Sequence, residues 1–140
     1  SQELEHSFFA RIHQERENKY KEIFNSSPDI LYRTDLTGGV TFVSPSVENI
    51  TGYSPDEAIG INIADKLYKK PEEKTRFLEA LNKTGQVTNF INELIRKDGT
   101  SFWGSADAHY LKNSYGEIIG VEGIVRDITE VVHVKTDLKN

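Results

Sequence analysis

No cysteine and no methionine occur among the 140 residues, and tryptophan occurs once. Without cysteine there is no disulfide framework, no thiolate nucleophile, no Cys-based zinc site and no thiol-dependent photochemistry. That composition fits a reducing compartment, and a cytoplasmic location is expected. No apolar run approaches the ~18 residues of a membrane-spanning helix, and the charged N-terminus lacks the apolar core of a signal peptide. A membrane is therefore not an expected partner of this segment. A basic surplus is missing too: the net charge is −5, with lysine and arginine scattered among the acids, which leaves no electrostatic footprint for DNA or RNA. Also missing are a hydrolytic triad, a paired-carboxylate site, a Walker loop and a kinase motif, so the segment is read as non-catalytic. Gly38-Gly39 is a turn rather than a phosphate cradle, because no helix follows it directly. In a chain without methionine Ser1 is either a processed terminus or a cut edge, and a fragment of a longer protein is expected.

What is present suffices for one domain with flanking elements and a core that needs no staple. Residues 2–25 are densely charged, and Ser26-Ser27-Pro28 ends the stretch, which predicts an N-terminal helix. Leu4, Phe8 and Ile12 share one face of it, and Phe9, Ile12, Ile23 and Phe24 form a second seam broken by Arg16 and Lys19. That stripe is too patchy for a strong coiled coil, and it fits equally a helix lying on its own domain or a dimer helix. Ile30 to Asp35 and Val40 to Ser44 read as a hairpin joined by Leu36-Thr37-Gly38-Gly39, with the glycines supplying positive φ. Ser44-Pro45 and Ser54-Pro55-Asp56-Glu57 each set a capping hydroxyl before a proline, the second completing a capping box with Glu57. Pro71-Glu72-Glu73 opens a longer helix with Phe77, Leu78 and Leu81 on one face and Gly85 as its stop.

From Val87 the pattern turns to strands. Val87 to Lys97 and Thr100 to Lys112 are joined by a two-residue Asp98-Gly99 turn, and Asn113-Ser114-Tyr115-Gly116 leads into a third strand. That last stretch, Gly116 to Thr129, interrupts Ile118, Ile119, Val121, Ile124 and Val125 with Gly120 and Gly123, as a buried and closely approached central strand does. Beyond Asp127 a helical spacing returns through Val131, Val132, Val134 and Leu138. The order is helix, two strands, short helices, three strands, exit helix, an α+β sheet with its helices on one face.

In this order and spacing, several short motifs together resemble a PAS domain over about residues 28–130. They are Ser27-Pro28-Asp29; Gly52-Tyr53 followed by Ser54-Pro55-Asp56-Glu57; Arg96-Lys97-Asp98-Gly99-Thr100 with Trp103 just beyond; Gly116, Gly120 and Gly123; and Asp127-Ile128-Thr129-Glu130. The resemblance implies a PAS fold, a five-stranded antiparallel sheet in the order 2-1-5-4-3 with helices forming one wall of a cavity. Residues 1–27 are then an N-terminal flanking helix and residues 131–140 the start of an exit helix. It also implies a sensory or regulatory module of a larger signalling protein: a sensor histidine kinase, a diguanylate cyclase or phosphodiesterase, or a transcription regulator. The alternative is a constitutive homodimerisation or docking domain with no ligand. In the family the terminal Asp-Ile-Thr ties sheet to exit helix. Carried over, Asp127 pairs with Arg96 or Lys97, Thr129 caps the helix, and Ile128 lies between them. A homodimer and a covalently linked output domain are the implied partners.

The resemblance raises two cofactors, and the residues argue against both. Covalent flavin photochemistry needs a cysteine that is absent. Haem is disfavoured because Pro71 to Thr84 contains no histidine and His6, His13 and His133 lie outside the core. Trp103 occupies a place filled by tryptophan in some noncovalent flavin binders of the family and in members without a cofactor; a core or rim tryptophan is the preferred reading. Asp107 and His109 share a face but are too few to hold a metal. Phe102, Gly104, Ala106, Ala108 and Tyr110 are placed on the face opposite Trp103, open to another helix or subunit. The expected cavity lining is Tyr32, Phe42, Tyr53, Ile63, Phe77, Leu81, Phe90, Asn92, Trp103, Ser105 and Val121, with Asn92 and Ser105 as polar groups that orient a small molecule. Most of these would also be plain core in any PAS fold.

Overall fold

The computed structural model describes residues 2–139, and the side chains of residues 7–19 and 21–134. Period-two patterning folds into one antiparallel sheet of β1 (Ile30–Thr34), β2 (Val40–Val43), β3 (Gln86–Ile95), β4 (Ser101–Lys112) and β5 (Ile118–Asp127). Its order is β2-β1-β5-β4-β3, so β5 lies at the centre as expected. Helices α2 (Ser46–Thr51), α3 (Pro55–Ala58), α4 (Ile63–Lys66) and α5 (Glu73–Thr84) connect β2 to β3, while α1 (Gln2–Ser26) and α6 (Thr129–Lys139) flank the domain.

Local chemistry sets the helix ends. Ser54 and Glu57 form the expected reciprocal box at α3, and α5 stops at Gly85 in the left-handed conformation. Ser44 does not cap α2. Its hydroxyl accepts from the Leu31 amide and bonds the Ser46 hydroxyl, tying the start of β1 to the start of α2. In the first hairpin only Gly38 has positive φ; the turn is held by the Asp35 carboxylate, which accepts from the Thr37 and Gly39 amides.

Two apolar clusters fill the space between sheet and helices. Ile30, Tyr32, Val47 and Ala58 form one, and Leu81, Val87 and Phe90 the other. On α5, Leu81 is fully enclosed and Phe77 packs beside it, but Leu78 is 39 % exposed, off the buried face where its spacing put it. The centre of β5 is closely approached: a Cβ at Gly120 would overlap the Thr34 carbonyl oxygen, and one at Gly123 would lie 2.7 Å from the Asp107 carbonyl oxygen. Yet β5 is not buried on both sides. Ile118 and Ile124 are exposed, because α2 to α5 cover only the opposite face, and Ile119 is exposed at the start of the strand.

Candidate functional site

Every helix and strand except α1 and α6 contributes to an internal cavity of about 80 Å³ between the sheet and α2 to α5. A single water needs ~10–15 Å³ on this measure, so the space exceeds a packing defect. Of the expected lining, Tyr32, Tyr53, Ile63, Phe77, Phe90 and Asn92 do line it. Ile30, Thr51, Tyr68, Leu94, Phe102, Gly104, Ala106 and Val125 join them, and sequence reasoning missed these. Leu81 is core behind the wall, and Val121 packs against the same Leu81, Val87 and Phe90 cluster, lining a neighbouring cleft with Tyr32 and Phe77.

Phe42, Trp103 and Ser105 do not line the cavity. Phe42 lies on the outer face of the sheet, its ring 5.1 Å from that of Phe24 on α1 and under the Arg33 guanidinium. The error on β4 has one cause. A two-residue turn at Asp98-Gly99 would set Asn92 opposite Ser105 and Leu94 opposite Trp103. Instead, the Arg96 amide donates to the Thr100 carbonyl across a three-residue loop, with Gly99 at φ +89°. Asn92 is therefore opposite Gly104 and Leu94 opposite Phe102. One extra loop residue inverts the faces of the whole strand. The Phe102, Gly104 and Ala106 run lies against the cavity rather than against another layer, and its small residues help leave the cavity open.

The electrostatics of the cavity are those of a dry site. Burial keeps the Tyr32 phenol protonated well above its ordinary range, and burial together with the Glu73 carboxylate pushes Tyr68 up to about 12. Asn92 is 7 % exposed, and its Nδ2 has no hydrogen-bond partner. A buried donor in that state costs ~1–3 kcal/mol.

Arg96 links this cavity to the end of the sheet. Its guanidinium stands 4.9 Å above the Phe102 ring, which lines the cavity, and donates to the Ile50 and Ser101 carbonyls. Its Nη2 lies 3.7 Å from Asp127 Oδ2. Lys97 is not a second partner of Asp127; it pairs with Glu57 at 2.5 Å. At the junction the Asp127 Oδ1 accepts from both the amide (2.9 Å) and the hydroxyl (2.5 Å) of Thr129. The capping oxygen for α6 is thus supplied by Asp127, not by Thr129. Thr129 Oγ1 accepts from the Trp103 amide at 3.0 Å, and the Ile128 amide donates to the Trp103 carbonyl. Trp103 matters here through its backbone: both of its peptide groups hold the start of α6 to β4.

On the outer face Asp107 accepts from the Asn89 amide, and His109 Nε2 and Arg33 Nε lie 3.2 and 2.5 Å from Glu122. Among the described residues no group of three or more His, Cys, Asp or Glu could hold a metal ion. No described helix is long and apolar enough to cross a membrane.

Residues 28–130 match the sequence profile of the PAS domain. The chain belongs to the PAS domain family. Sporulation kinase C of Bacillus subtilis is 24% identical over 131 residues, 89% of this chain and 31% of that protein. A blue-light photoreceptor of Listeria monocytogenes is 33% identical over 94 residues, 64% of this chain and 36% of that protein. The crystal structure of a PAS domain from Colwellia psychrerythraea superposes with a TM-score of 0.71 at 25% identity, covering 81% of this chain and 97% of that one. The chain thus spans about a third of the length of these two full-length relatives. PAS domains stand in signalling proteins, typically as non-catalytic sensory modules. At about 80 Å³ the cavity is well below the ~300–1,000 Å³ of ordinary ligand pockets. No histidine lines the cavity to ligate a haem iron.

Proposed function

We propose that this PAS domain is the sensory module of a longer, cytoplasmic signal-transduction protein, a sensor kinase, cyclase or phosphodiesterase, or transcription regulator. Residues 1–27 flank the sensor of residues 28–130, and residues 131–140 begin the connection to a covalently linked output domain. The observation that carries this reading is the continuous path from cavity to exit helix: the Phe102 ring, the Arg96 guanidinium above it, Asp127, and Thr129 at the first turn of α6. A change in the cavity that moves Phe102 alters how Arg96 holds Asp127. That biases whether Asp127 and the Trp103 backbone fix the start of α6, and so the angle of the helix beyond. Asp127→Ala in the intact parent protein is expected to uncouple stimulus from output while the domain stays folded by circular dichroism; normally regulated output in that variant refutes the transmission path.

The exposed surface of α1 favours a second property, homodimerisation. Phe8 and Phe9 are 51 % and 67 % exposed, and Ile23 is exposed as well. Phe8→Ser with Phe9→Ser is expected to convert a dimer to a monomer in sedimentation equilibrium. A wild-type chain that is already monomeric at high micromolar concentration removes the dimer reading.

A further inference from the structure

Granted the sensory role proposed for the domain, on which this inference rests, three features of the cavity define its ligand more narrowly. The first is size. About 80 Å³ divided by the ~10–15 Å³ of a single water gives room for roughly six heavy atoms. The second is an unused buried donor. Asn92 Nδ2 is enclosed and unpartnered on the inner face of β3, opposite Gly104. It can only donate, so its partner must bring a lone pair. The third is the rest of the wall. The lining carries no charged side chain, and its remaining polar members are the Tyr32, Tyr53 and Tyr68 phenols and the Thr51 hydroxyl, which is already committed to the Val47 carbonyl. No cation is present to receive an anion, and burying an unpaired charge is prohibitive.

We infer that the cavity binds a small uncharged molecule of about five to seven heavy atoms, largely hydrocarbon, whose single carbonyl or ether oxygen accepts from Asn92 Nδ2. Three probes of equal heavy-atom count separate the contributions: 2-butanone supplies the oxygen, n-pentane the shape without it, and propionate the oxygen with a charge. In ¹⁵N-labelled full chain, 2-butanone shifts the Asn92 side-chain amide resonances, identified by their loss in Asn92→Leu. It binds about tenfold more tightly than n-pentane, the value of one buried hydrogen bond, and propionate does not bind. In Asn92→Leu the tenfold preference falls to about one, while n-pentane still binds. An unmoved Asn92 resonance at high millimolar 2-butanone overturns the inference, as does equal binding of propionate. These readouts report binding and do not pass through α6. A failure here with Asp127→Ala still uncoupling output leaves the sensory reading standing, whereas binding of 2-butanone with output indifferent to Asp127 removes the sensory reading and keeps the site.

Discussion

Replacing Asn92 with leucine should make the ligand-free domain more stable. The side chain is 7 % exposed, and its Nδ2 has no partner. Folding strips that donor of water and returns nothing, at a cost of ~1–3 kcal/mol. Leucine keeps the branching with methyl groups in place of the amide oxygen and nitrogen, extends into the cavity beside Asn92, adds apolar burial, and removes the orphan. For a domain of this size each kcal/mol is worth about 3 °C, so the transition should rise by ~3–10 °C. The assay is thermal unfolding of protein refolded from guanidinium and dialysed, so that nothing carried through purification contributes. Asn92→Asp is the control: the same shape now carries a carboxyl group that ionises against burial, and its transition should fall below wild type at neutral pH. An unchanged or lowered transition in Asn92→Leu would mean that the donor is already satisfied in the ligand-free protein, which refutes both the cost assigned to it and its availability to a ligand.

Two other perturbations test the frame of the site. The Glu57 carboxyl is held down to about 2, from an ordinary 4.5, chiefly by its hydrogen bond from Lys97 and then by the Ser54 amide. A lowered folded pKa gives stability that is present above the ordinary value and lost as pH falls through the folded one. The gap in urea midpoint between wild type and Glu57→Gln should therefore be widest above about pH 4.5 and close toward about pH 2; a gap independent of pH contradicts the assignment. Gly120→Ala places a methyl against the Thr34 carbonyl and must push β1 from β5. Overpacking of this kind costs ~1–3 kcal/mol or more, and denaturant unfolding should show a loss at least that large.

Much of the fold is legible in the sequence because local signals agree. The capping box at Ser54 fixes a helix start, Gly85 supplies the left-handed stop, and Gly120 and Gly123 mark where a Cβ would not fit. The register of the β3–β4 hairpin is not legible to the same degree. Asp98-Gly99 reads equally as a two-residue turn or as the end of a three-residue loop, and that one-residue difference decides whether Trp103 and Ser105 or Phe102 and Gly104 face the cavity. Small residues opposite Asn92 are the available clue, since an open space needs walls without bulk. The pairing of Asp127 with Arg96 is legible in the family motif, but the use of the Trp103 backbone to hold Thr129 is not, because peptide groups carry no sequence signature. Ile124 misleads for a simpler reason: a central strand can be apolar on a face that its own domain leaves uncovered.

The central claim is that the state of the cavity reaches α6 through Arg96 and Asp127. Filling the cavity from within by Ala106→Leu, in place of a ligand, isolates that claim, and amide hydrogen exchange of residues 129–134 reads it directly. The account predicts that Ala106→Leu changes protection in this first stretch of α6, and that the change disappears when Asp127→Ala is added. Identical protection in wild type and Ala106→Leu, or a change that survives the loss of Asp127, would contradict it.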